Sequence, residues 1–250
     1  MSLPLLHLTV PGLPQPQGSS LIVRAAQAKL WDAPPIEAYG AENLFVRMMP
    51  KAVIDDLIRS GHYSGSTCWA SYLHLGVVLD GKLIGGLQFG PLMNPGSAGR
   101  IVRGATADTS SELNRMWLQD EKPPNVTTRA LKYALKILRS QRPRVEWVQS
   151  FADERCGKWG GVYQAASFLY LGTHTSEFLS LDGEWFHKSA VNRRDARGWG
   201  TGPKIARLAA RLDVATRHSF RQFRYFKPLT RRARANLLLA VLPYPKPHHD

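Results

Sequence analysis

SELNRMWLQDEKPPNVTTRALKYALKIL, residues 111–138, joins an apolar segment to a basic amphipathic one through a proline-stiffened turn. Leu113, Met116, Trp117 and Leu118 around Arg115 read as a strand. Pro123 and Pro124 end it, because proline donates no ladder hydrogen bond. Asn125 then reads as the N-cap of a helix, with Thr128 at N3. Val126, Ala130, Ala134, Ile137 and Leu138 can face the core, while Arg129, Lys132, Lys136 and Arg139 form a basic stripe. The stripe reads most simply as a solvated face. The N-terminal turn, Asn125, Val126, Thr127 and Thr128, offers amides without intrahelical acceptors and is a candidate anion site.

The flanking segments extend the pattern in both directions. MPKAVIDDLIRSG (49–61) predicts a helix with Val53, Ile54, Leu57 and Ile58 on its apolar side. YLHLGVVLDGKLIGGLQFG (72–90) predicts a hairpin about Asp80-Gly81. RVEWVQSFAD (144–153) reads as a strand and GGVYQAASFLYLG (160–172) as a helix. TSEFLSLDGEWFH (175–187) reads as a second hairpin about Asp182-Gly183. This order implies an α/β fold with a mixed sheet flanked by helices.

Charge divides the chain. Residues 186–250 hold 15 Lys and Arg against 3 acids, a net of +12; residues 1–185 hold 18 against 16, a net of +2. A near-neutral domain followed by a basic C-terminal extension is the footprint of a polyanion partner, most often nucleic acid. Aromatic side chains lie among the cations at Trp199, Phe220, Phe223, Tyr225 and Phe226. They suit base stacking or packing on the core. The boundaries read as an extended arm over 1–40, a core domain over 41–187 and the extension over 188–250, packed on the core and contacting the polyanion. Two cysteines, Cys68 and Cys156, argue against a disulfide scaffold and for an intracellular setting. The longest apolar run, ANLLLAVLP (235–243), is far below the roughly 20 residues of a membrane helix. The histidines show neither HExxH nor CxxC spacing, and the pair His248-His249 is a weak metal signal.

The element order is similar to the GNAT acyltransferase fold, in which a central strand splays from its neighbour and feeds a helix that binds pyrophosphate. That resemblance implies acetyl-CoA or another acyl-CoA as donor. The usual Gln/Arg-x-x-Gly-x-Gly/Ala loop would fall near QDEKPPN (119–125), and its glycines are absent. More specifically, the chain resembles the Mom family of bacteriophage DNA-modification proteins. The resemblance rests on HYSGS (62–66), ELNRMWLQDEKPPN (112–125), QSFADERCGKWGGVYQAASFLYLGTHT (149–175), GEWFH (183–187), FRYFKPL (223–229) and YPK (244–246). It implies addition of a carbamoylmethyl group to the N6 amine of adenine in double-stranded DNA, shielding phage DNA from restriction in the host cytoplasm. Transfer through carbon exceeds simple acyl transfer and calls for further chemistry, metal- or radical-assisted.

The resemblance also singles out residues. His62, Tyr63 and Ser64 match its HYS motif, and His62 is placed to take the amine proton, although a His past a helix end also serves the helix dipole. Arg115, in an apolar strand, needs an anion, either Glu112 or a substrate phosphate. Ser150 and Asp153 end a strand, where open α/β sheets hold ligands; Asp153 also suits a turn cap. Tyr163 and Tyr170, seven apart, would share a helix face, and Tyr163 is the candidate to protonate a departing thiolate. Cys156 lacks an evident His partner. His187, Arg224, Tyr225 and Lys227 are the expected DNA contacts. Two other classes remain open: a conventional acyl-CoA-dependent GNAT acting on a nucleobase or other amine, and a non-catalytic DNA-binding protein on the same scaffold.

Overall fold

The computed structural model describes residues 21–24, 35–157, 159–188 and 203–246. Most of the expected N-terminal arm, Trp199 and His248-His249 lie outside the described residues. The chain enters with β1 (Leu21–Arg24), β2 (Ile36–Ala41) and β3 (Leu44–Met48), followed by α1 (Lys51–Gly61). β4 (Leu73–Leu79) and β5 (Lys82–Gly90) form the first predicted hairpin. Asp80 and Gly81 both take positive φ, as a two-residue hairpin turn requires. After the short α2 (Ala98–Ile101) come β6 (Ser110–Leu118), α3 (Val126–Gln141) and β7 (Trp147–Asp153). The remainder is α4 (Gly161–Ala165), β8 (Leu169–Leu181), β9 (Glu184–His187), α5 (Pro203–Ala210), β10 (Thr216–Pro228) and α6 (Arg231–Ala235).

All ten strands join one sheet in the order β1-β2-β3-β4-β5-β6-β7-β10-β8-β9. Every pairing is antiparallel except β6 with β7. That parallel register runs only from Ser110↔Trp147 to Glu112↔Gln149, and beyond it the strands part. The splayed centre feeding α3 is the GNAT-like arrangement. The sheet begins before residue 41, since β2 pairs with β3. The basic C-terminal part enters the sheet itself: β10 lies between β7 and β8.

Period-two alternation assigns the sheet faces. Leu87 and Phe89 of β5 pack in the cluster that holds Val126, Ala130, Leu131, Ala134, Leu135, Ile137 and Leu138 of α3. Each fully buried Leu or Ile there contributes about 1.5–3 kcal/mol. The intervening Gly86 and Gln88 face α1 instead: a Cβ on Gly86 would sit 3.1 Å from Ile54, and Gln88 Nε2 donates to Asp55 Oδ1 at 2.6 Å. α1 and α3 therefore cover opposite faces. The α3 stripe is partly engaged, with Arg129 on Glu42 at 2.9 Å and Lys136 donating to the Tyr39 hydroxyl at 2.6 Å.

The predicted helix over 160–172 is only the five-residue α4. Ser167 turns left-handed and β8 begins at Leu169. Tyr163 and Tyr170 therefore lie on a helix and a strand, not one helix face, and meet through Tyr225 at ring distances of 5.1 and 5.5 Å. Gly160 enters α4 at φ +91°, and a Cβ there would lie 2.3 Å from Tyr225 Cε2. The Tyr225 ring has no room to yield, being fully buried with its hydroxyl bonded to Trp159 O and Gln164 Nε2. Gly160→Ala is expected to cost about 2–5 kcal/mol from the left-handed backbone and overpacking together. An unchanged urea midpoint would contradict that packing.

Candidate active site

The face opposite α3 gathers the loop after α1, the middle of β6 and the end of β7. Ser64 N–H donates to His62 Nδ1 at 3.2 Å, and the Ser64 hydroxyl stands 2.9 Å from the same nitrogen. Nδ1 is thus the acceptor, which places the proton of the neutral ring on Nε2 by hydrogen-bond assignment. Burial, then the positive charge of Arg115, holds the His62 pKa down to about 4. The imidazole is neutral at physiological pH.

Arg115 anchors this loop. Its Nε donates to Ser66 O at 2.8 Å, its Nη2 to Ser66 Oγ at 3.3 Å and its Nη1 to Asn114 O at 2.7 Å. Of the two anions open for Arg115, Glu112 makes no hydrogen bond to it. Glu112 is buried and accepts from Gln149 Nε2 at 2.9 Å, Met93 N–H at 3.2 Å and Asn114 Nδ2 at 3.4 Å. Burial pushes its carboxyl up. A guanidinium needs acceptors more than a formal counter-ion, and Ser66 of the loop and the Asn114 carbonyl of β6 supply them.

Asp153 links the loop to β7. It accepts from the Tyr63 hydroxyl at 3.3 Å and from Arg155 through Nε at 3.0 and 3.1 Å and Nη2 at 2.5 Å. It also caps the following turn, accepting from Arg155 N–H at 3.0 Å. Burial opposes its ionisation, but the Arg155 bonds and charge outweigh it and hold the carboxyl below the usual range. The Tyr63 ring is exposed, but desolvation at its hydroxyl and the Asp153 charge push the phenol up. Arg155 escaped the sequence reading; the available signal was its place two residues after Asp153, close enough to fold back on the carboxylate.

The other candidates scatter. Ser150 and Asp153 are three apart on a strand, so they point to opposite faces. Ser150 donates to Leu113 O at 3.3 Å and bonds Tyr163 on the α3 side. Tyr163 is buried, and burial pushes its phenol up. Tyr225 is fully buried with its pKa pushed up to about 12, first by burial, so its expected DNA contact is corrected: no phosphate reaches that hydroxyl. Lys227 donates to Ala166 O and Ser167 O at 2.9 and 3.1 Å, tying down the α4–β8 turn. Arg224 lies half-buried over Phe151, 5.6 Å from the ring centroid. His187 is exposed and meets Phe178 edge-on at 5.0 Å.

At α3, Asn125 is the N-cap residue as expected, but it takes φ +64° and its side chain makes no capping bond. A left-handed backbone turns the side chain away from the amides it would cap, unlike the extended backbone usual at an N-cap. The first helical bond runs from Arg129 N–H to Asn125 O, which leaves the Val126, Thr127 and Thr128 amides without a helical acceptor. Pro123 and Pro124 contribute no N–H, and no glycine lets the chain fold around a second phosphate. The turn presents helix N-terminal amides but lacks the glycines with which a chain wraps a pyrophosphate. Among the described residues no group of three or more His, Cys, Asp or Glu is placed to hold a metal ion, and no helix is long and apolar enough to cross a membrane.

A mixed sheet with a splayed parallel pair and a helix entered at the splay makes a GNAT-like fold. The chain belongs to the Mom protein family, whose family model matches residues 43–246. It is 45% identical over 214 residues to methylcarbamoylase mom of Escherichia phage Mu, covering 84% of this chain and 87% of that protein. Among solved structures it is similar to the ribosomal-protein-S5-alanine acetyltransferase of Vibrio fischeri, with 11% identity, 78% and 97% of the chains covered and a TM-score of 0.44. A probable GNAT-family acetyltransferase of Chromobacterium violaceum gives 11% identity, 85% and 96% coverage and a TM-score of 0.42.

Proposed function

We propose that this protein is a DNA-modifying transferase that attaches a carbamoylmethyl group to N6 of adenine. The observation that carries the reading is the joining of the HYS loop to Asp153 through Tyr63, beside a neutral His62 bonded to Ser64. The family relationship and the relative's name, methylcarbamoylase, support transfer of a group of this composition, while attachment through the methylene carbon rests on the family resemblance. The basic C-terminal part supports a DNA substrate, its cations gripping phosphates without reading sequence.

The reaction forms a bond from N6 to the methylene carbon while the carbon's bond to its donor breaks, the electron pair leaving with the donor. The surplus N6 proton passes to Ser64 Oγ as the Ser64 proton passes to His62 Nδ1. His62 thus acts through Ser64, not on the amine directly. Arg115 holds the loop at Ser66, and Asp153 holds it at Tyr63, so the pair keeps Ser64 placed. Acyl-CoA is the donor class the fold resemblance implies, but a thioester activates a carbonyl carbon and not a methylene, and the α3 turn lacks the glycines that wrap a pyrophosphate, so no step is routed through it.

Mass spectrometry of nucleosides from bacterial DNA after expression tests the reading. A deoxyadenosine heavier by one carbamoylmethyl group, present with the wild type and absent with Ser64→Ala, is expected. Unmodified adenine beside a modified pyrimidine would overturn the acceptor. Unmodified DNA with a soluble, DNA-binding protein would favour a binding role.

A further inference from the structure

β8, β9 and β10 carry a ring cluster that the reaction above does not use. The Trp185 ring lies 4.6 Å from His218 and 5.7 Å from Phe220, and His218 and Phe220 are near-parallel, 6.0 Å apart at 14°. Phe178 lies 6.0 Å from Phe220 and carries the Arg155 guanidinium 3.7 Å from its centroid. The same guanidinium is 5.9 Å from the Trp185 ring and 5.5 Å from the Tyr63 ring. Arg155 therefore joins the ring cluster to the Tyr63–Asp153 contact without a break.

Packing alone would bury the widest rings, yet Trp185 is 49% exposed and Tyr63 57%. The cations on the ring face are Arg155, over Phe178, and the half-buried Arg224, over Phe151, whereas Arg217 pairs with Leu179 and points to the other face. Open π-faces set among cations are what an unpaired nucleobase and its phosphates require. Adenine N6 is engaged in a base pair, so its modification exposes an unstacked base that must find a new stacking partner.

We infer that Trp185, backed by His218 and Phe220, is a stacking platform for an unpaired nucleobase of the DNA strand being modified. The inference rests on the reading of DNA as substrate. Trp185 supplies the stacking face, while His218, held by Ser180 Oγ at 2.8 Å, and Phe220 fix its tilt.

The test compares two labelled strands of equal length by fluorescence anisotropy, one of deoxyadenosine and one of abasic sugar-phosphate. The wild type should bind the base-bearing strand about tenfold more tightly, the scale of one base–aromatic stack. Trp185→Ala should lose that preference while binding the abasic strand as before, and Trp185→Phe should keep most of it. A Trp185→Ala protein that retains the preference, or loses both affinities equally, overturns the platform. A wild type that binds neither strand overturns the DNA reading itself, and the platform falls with it.

Discussion

Asp153→Ala is expected to destabilise the protein by about 3–5 kcal/mol and to abolish DNA modification, whereas Asp153→Ala with Arg155→Met regains stability and stays inactive. Asp153 and Arg155 have only 4% and 17% of their side chains exposed. Removing the carboxylate strands a guanidinium among aromatic rings, and an uncompensated buried charge carries that scale of penalty. Removing both charges takes the stranded charge away, and Met fills the space over Phe178. Tyr63 has still lost its acceptor, so the loop is no longer held to β7. Urea midpoints of the three proteins and a nucleoside assay separate the effects; activity in the double variant would make Asp153 purely structural. The pH dependence has a definite sign. The folded-state pKa of Asp153 is depressed, so the pair's contribution is fully present above the ordinary value of 3.8 and is lost as pH falls through the lower folded value.

How much of this was legible beforehand follows from the range of the interactions involved. α1, both Asp-Gly hairpins, β6, α3 and β7 were readable because alternation, helical spacing and turn chemistry are local. The structure of 160–172 was not, because an apolar run fits a short helix or a strand equally well; pairing of Tyr170 with Tyr225 decides it. β10 was missed for a related reason. RHSFRQFRYFKP, 217–228, alternates cations with rings and reads as a basic patch. Only insertion between two strands that precede it in sequence shows that Phe223 and Tyr225 are core.

The site divides in the same way. Motif resemblance located His62, Tyr63, Ser64, Arg115 and Asp153, which the structure connects through one loop. It also offered Ser150 and Tyr225, which the sheet's alternation sends to the other face, and Tyr163, which α4 packs against that face. Proximity in a motif does not specify a face, whereas three residues along a strand reverse it. Arg155 and Trp185 were hidden because their meaning depends on rings from β8 and β10 that sequence does not place beside them.

His62→Ala is expected to lower modification by about 10²–10⁴-fold, the usual contribution of a positioned proton acceptor. Protein stability should change little, since the His62 side chain holds the short Ser64 turn and meets only the exposed Tyr63 ring besides. His62→Gln returns an acceptor without a titrating group, so it should restore loop geometry and leave the rate low. The pH profile identifies the residue more sharply than either substitution. An ordinary imidazole would be half protonated near pH 6.5, and activity would fall below that point. With its pKa held near 4, His62 stays neutral and the acid limb of kcat/KM moves down toward pH 4. Bound phosphates add negative charge near the ring, which favours imidazolium and raises the pKa in the complex. The acid limb of kcat should therefore lie above that of kcat/KM. In Arg115→Gln, loss of the guanidinium charge should shift the kcat/KM limb upward as well. Coincident limbs in wild type and Arg115→Gln, both near pH 6.5, would remove His62 from the proton path.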